Sequence, residues 1–219
     1  MKIRKFSFVA ICFLILSSCV VKSLNPFYTA KSISFDERLI GNWTDKSKGK
    51  WQIVSVESLM EKDSTTNKIK ESEKKMYEAY KESYYITREY KGKETIYVVT
   101  PFQVKGESFL NFFPFENQDD VDNLLEKHSI YTHSLVKYEI DNEGRLSIRW
   151  LDEDKIEALF EQKKIKIQHH KIGLLKDKYL LSASSEDLEK FIEKYIGSSD
   201  EEKWKTDTKY TLTRAADVE

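Results

Sequence analysis

Alternation of apolar and polar residues is the strongest pattern in the chain, and it predicts half-buried strands. Residues Ser83–Tyr90, Thr95–Val104 and Glu107–Phe115 read as a three-stranded meander. Lys91-Gly92-Lys93 and Lys105-Gly106 are the short glycine links between them. Ile96, Val98, Thr100 and Phe102 fall on one face by period two, and Pro101 among them argues for a sheet edge or a bulge. A second hairpin runs from Ser134–Ile140 through Asp141-Asn142-Glu143-Gly144 to Arg145–Trp150, with Leu146, Ile148 and Trp150 pointing one way. Further strands are predicted at Lys164–Ile172, Lys178–Ser182 and Lys209–Arg214.

Helical spacing interrupts this pattern. Asp152–Lys163 opens with Asp152, Glu153 and Asp154, acids suited to a helix N-terminus, and carries the stripe Ile156, Leu159, Phe160. Ser184-Ser185-Glu186-Asp187 starts another helix with spacing like a capping box. Its stripe is Leu188, Phe191, Ile192 and Tyr195, and Gly197 stops it. Residues 61–75 form a polar insertion, and Ile69, Met76 and Tyr80 allow a helix over about Asn67–Glu82. The predicted class is α+β, a mainly antiparallel curved sheet with two or three helices inserted between strands.

The N-terminus changes the picture. Met1–Lys5 is cationic, and Phe6–Leu16 is an uncharged run too short to span a hydrocarbon core of about 30 Å. The tetrapeptide Leu16-Ser17-Ser18-Cys19 resembles the lipobox of bacterial lipoproteins. That resemblance implies diacylglyceryl transfer to Cys19 Sγ, cleavage before Cys19 and acylation of the new N-terminus. Residues 1–18 are then a signal peptide, 19–34 a lipidated tether and 35–219 one globular domain. The anchored protein would belong to the bacterial cell envelope, and Val20 after the cysteine favours the outer membrane. The chain has two cysteines, Cys12 and Cys19. Only Cys19 remains after cleavage, so no disulfide is expected and the fold must rest on its core.

Composition supplies that core, with 12 Phe, 12 Tyr and 4 Trp in 219 residues. Loss of the first 18 residues leaves 33 basic against 37 acidic side chains, a net charge of −4. An acidic, arginine-poor domain lacks the clustered basic face of a nucleic-acid binder. The expected partners are the membrane, through acyl chains on Cys19, and an apolar ligand or an envelope protein.

Gly41-Asn42-Trp43 resembles the Gly-x-Trp opening of lipocalin-like proteins, preceded by a helical turn at Phe35–Leu39. The resemblance implies a lipocalin-like β-barrel with Trp43 plugging one end and a late arginine across it. Arg214, on the apolar face of Tyr210-Thr211-Leu212-Thr213-Arg214, is the candidate for that arginine. An arginine on such a face stacks or pairs, since an unpaired buried charge is costly. Tyr84, Tyr97, Phe112 and Tyr138 could line an apolar cavity or simply fill the core.

The remaining motifs point to little chemistry. His169 and His170 are neighbours on a predicted strand and face opposite sides, and His128 and His133 flank Tyr131 near a loop. Without CxxC or HExxH, no metal or other cofactor is expected. No Gly-x-Ser-x-Gly, phosphate loop or dinucleotide fingerprint is present, and no catalytic residue is identified. The leading expectation is a non-catalytic carrier. Its rivals are a scaffold lipoprotein with an apolar patch around Phe112, Phe113 and Phe115, and an envelope hydrolase.

Overall fold

The structure, a computed structural model, describes residues 20–64, 71–115, 130–176 and 178–215. Cys19 and His128 lie outside them. Eleven strands are described: β1 (Lys22–Ser23), β2 (Gly41–Asp45), β3 (Lys50–Ser55), β4 (Tyr84–Tyr90), β5 (Lys93–Val104), β6 (Glu107–Phe115), β7 (His133–Ile140), β8 (Leu146–Trp150), β9 (His169–Ile172), β10 (Lys178–Leu181) and β11 (Lys209–Arg214). Four α-helices accompany them: α1 (Val56–Ser64), α2 (Glu71–Tyr80), α3 (Glu153–Glu161) and α4 (Ser185–Ile196).

The curved sheet closes. Eight strands, β2 through β8 and β11, pair antiparallel in a ring, with β6–β7 completing the circuit. This is a closed eight-stranded antiparallel β-barrel with four helices between its strands, consistent with a lipocalin-like barrel. Both meander turns sit where the glycines predict: Gly92 and Gly106 have φ of 71° and 79°, a left-handed conformation that side chains disfavour.

Three of the four helices match expected ones. Asp152 caps α3 by accepting from the Lys155 amide, and Ser184 caps α4 by accepting from that of Asp187. The fourth, α1, has no apolar stripe strong enough to predict it. The strand expected from Lys164 begins only at His169, because α3 closes on Lys163 with φ of 56° and residues 164–168 run outside the ladder.

Residues paired across antiparallel strands share a face. One face carries Trp43, Trp51, Ile53, Tyr84, Ile86, Val99, Leu110, Phe112, Val136, Tyr138, Ile148 and Leu212, and these pack together inside the barrel. The outer face of β5, β6 and β7 is also buried. There Phe102, Val104, Phe109 and Leu135 meet Leu188, Phe191 and Ile192 of α4, Ile156 of α3 and Leu181 of β10.

The segment expected to be a tether is built into this outer layer. Strand β1 pairs with β7 and β10, Phe27 is fully buried, and the Ser34 amide donates to Pro101 O at 3.1 Å. Residues 32–34 thus cover β5 where it outruns β4, and Pro101, which has no N–H to donate, sits at the edge that β4 leaves free.

Candidate functional site

The four candidate cavity residues all face the barrel interior. Tyr84, Phe112 and Tyr138 are buried within the interior cluster, and Tyr97 packs partly buried against it. The Tyr84 hydroxyl donates to Asp36 O at 2.9 Å and accepts from the Asp36 amide at 2.8 Å, while the Tyr138 hydroxyl donates to Asp36 Oδ2 at 3.1 Å. Burial raises the Tyr84 pKa and pushes that of Tyr138 up to about 12, so both remain protonated donors at neutral pH. The ring of Tyr97 lies 5.3 Å from that of Phe112, which lies 5.0 Å from Trp150. These side chains contact one another and make up the core of the barrel.

Four residues on the inward face form a row across adjacent strands. Arg214 pairs with Trp43, Trp43 with Trp51, and Trp51 with Arg88. Arg214 lies over the Trp43 ring at 4.1 Å and donates to Ile40 O at 2.5 Å and to Arg38 O at 2.6 Å. Trp43 Nε1 donates to Leu39 O at 2.9 Å, so the short turn before the barrel closes over the indole. Gly41 makes this possible: a Cβ there would fall 2.2 Å from Arg214 Nη1, and φ is 133°. The Gly-x-Trp residues and the late arginine are therefore one assembly at one end of the barrel.

Arg88 forms the counterpart at the opposite end of this row, a role the sequence reading missed. It lies 5.2 Å over Trp51 and 5.1 Å over Tyr210, and pairs with Asp45 at 3.3 Å. Asp45 also accepts from Trp51 Nε1 at 3.0 Å and from the Gly49 and Ser47 amides at 2.8 and 2.9 Å. Burial alone would raise its pKa, but these donors outweigh burial and hold the carboxyl below its ordinary value. The signal was present, since Arg88 continues the apolar face of Tyr84 and Ile86 just as Arg214 continues that of Tyr210 and Leu212.

A second region lies outside the barrel. Between the 162–168 segment and α4 is a cleft of about 950 Å³. Its floor is Ile167, Ala183, Phe191 and Tyr195, and Leu159 and Ile165 form one wall. The rim carries Lys163, Lys164, Lys166, Lys190 and Lys194, against Asp187 and Asp200. Asp187 is already paired with Lys190 at 3.2 Å. An apolar floor under a cationic rim suits a ligand with a hydrocarbon body and an anionic head.

The histidines do not converge. The His169 ring lies 4.0 Å from Phe160 and its Nδ1 bonds Ile167 O at 2.8 Å, while the adjacent His170 is exposed. His133 is buried, and its Nδ1 takes the Asn111 amide at 3.0 Å. Among the described residues no group of three or more His, Cys, Asp or Glu is placed to hold a metal ion. Phe112 points into the barrel, whereas Phe113 and Phe115 are on its outside, half-buried against His133 and Tyr85. Comparison with family models, curated proteins and solved structures gives no match.

Proposed function

We propose that this chain is an acylated envelope lipoprotein whose lipocalin-like barrel is a non-catalytic scaffold. It binds an anionic amphiphile in the outer cleft rather than an apolar ligand in the barrel. The lipobox at Leu16–Cys19 supports the anchor. The cleft carries the binding reading, because five lysines and an apolar floor line a volume of about 950 Å³, enough for an acyl chain. The barrel interior offers a ligand only surfaces already in contact with one another. Positive charge at the rim is notable in a mature chain of net charge −4, and it sets the preference for a carboxylate or phosphate head.

The test uses the mature protein purified from membranes, with the fluorescent fatty acid cis-parinaric acid as probe. Saturable binding is expected, and Lys190→Glu with Lys194→Glu should weaken it about tenfold, or about 1.4 kcal/mol. Both lysines are on the surface of α4, so the fold is retained. Equal binding by the variant, or no saturable binding, overturns the cleft reading. Palmitate labelling tests the anchor separately, since it should be lost in Cys19→Ala.

A further inference from the structure

The β9–β10 turn carries the most exposed apolar residues described in the molecule. Leu174 is 102% exposed and Leu175 80% exposed. The neighbouring Lys171 and Lys176 are exposed too, with Asp177 lying outside the described residues. Gly173 and Lys176 take positive φ, 89° and 53°, and the Lys176 amide donates to Gly173 O at 3.2 Å. The turn is therefore tight and projects both leucines outward.

Pairing within the outer sheet sets what lies beside this tip. Strands β1 and β10 are parallel, with Lys22 opposite Leu180 and Ser23 opposite Leu181. Extending that register back by two residues sets Val20 level with Lys178, where β10 leaves the turn. Val20 follows Cys19 in the sequence, so the first described residue is on the side of the outer sheet that carries the tip.

We propose that the Leu174-Leu175 tip is a membrane-insertion point, entering the same bilayer leaflet that holds the acyl chains of Cys19. Lys171 and Lys176 then meet lipid phosphates at the headgroup level. The inference rests on the lipid-anchor reading of Cys19. A protein partner fits less well, because a stable protein interface takes about 800 Å² per side and this is a convex wedge of two leucines. A bilayer needs no matching groove. With the anchor in place the tip is also held at high effective concentration beside it, so a small apolar wedge suffices.

The experiment places one reporter at the tip. Cys19 is the only cysteine of the mature chain and is blocked when acylated, so Leu174→Cys gives a unique thiol for the fluorophore NBD. The acylated full-length product is reconstituted into vesicles of three parts phosphatidylethanolamine to one part phosphatidylglycerol. A blue shift of NBD emission and a loss of intensity with doxyl-labelled lipid are expected. The same label at Gln52→Cys should show neither, since Gln52 is exposed on β3, four strands from β7 either way round the ring. Solvent-like, unquenched emission from position 174 in acylated, vesicle-bound protein overturns the insertion and leaves the anchor standing. An unmodified Cys19 with no vesicle binding overturns both.

Discussion

The two faces of the barrel wall at β5, β6 and β7 are both buried, yet they are buried differently. The inner face is covered by the other barrel strands, so its partners come from hairpins and from the pairing of the first and last barrel strands, β2 and β11. The outer face is covered by residues from widely separated places, including Val21 and Phe27, Leu151 and Ile156, and Leu181 through Trp204. The interior therefore follows from alternation and closure, whereas the outer layer depends on the N-terminal segment and α4 packing against the wall. The difference also places candidate functions, because the cleft and the leucine tip both belong to the outer layer.

Removing a large interior side chain tests how far the two layers stand or fall together. Trp43 is 1% exposed and touches the end closure, the row of paired side chains and the core. Trp43→Ala is expected to destabilise the protein by about 3–5 kcal/mol, read by urea unfolding. Because the wall is shared, one cooperative transition should move as a whole. Two separated transitions would show instead that the outer layer unfolds independently of the barrel.

The next effect sits at the junction of the two layers. Asn111 Oδ1 accepts from the Phe27 amide at 3.1 Å, and its Nδ2 donates to His133 Nδ1 at 3.0 Å. That geometry needs His133 neutral, and burial lowers its pKa from 6.5 to about 4. The unfolded chain thus binds a proton that the folded chain refuses between these values. Stability from this group is present in full above pH 6.5 and is lost as pH falls toward 4, by about 3 kcal/mol. Protection of the amides of residues 20–29 from exchange, relative to their intrinsic rates at each pH, should fall in the same range, because protonation removes the acceptor that orients Asn111. A His133→Asn variant whose stability declines with acid as steeply as that of the unaltered protein would refute the assignment.

Much of the interior was legible because period two survives wherever one face looks inward. Glu107–Phe115 and Lys209–Arg214 have the predicted bounds, and Trp43 and Arg214 meet as the Gly-x-Trp resemblance implies. The outer layer was less legible. Residues 20–34 are polar enough to read as a linker, and what makes them structure is a partner edge on β5, β7 and β10 that no local pattern reveals. Lys164–Ile172 alternates like a strand, but a left-handed Lys163 turns its first half into the lip of the cleft. Leu174 and Leu175 were passed over because two apolar residues in a turn fit neither period.

The smallest expected effect concerns the end closure itself. Arg214 is exposed, so its stacking on Trp43 and its two hydrogen bonds act in partly hydrated surroundings. Arg214→Ala should cost about 1 kcal/mol, far less than loss of the indole beneath it. Gly41 permits a sharper measurement. Gly41→Ala suffers twice, from its φ of 133° and from collision with the guanidinium. Only the collision disappears when Arg214 is already alanine. In a double-mutant cycle, Gly41→Ala should therefore be milder in the Arg214→Ala background by about 0.5–1 kcal/mol, the residue reporting backbone strain alone. Strict additivity would mean that the glycine serves only the turn, and that the arginine closes this end of the barrel without needing the space beside it.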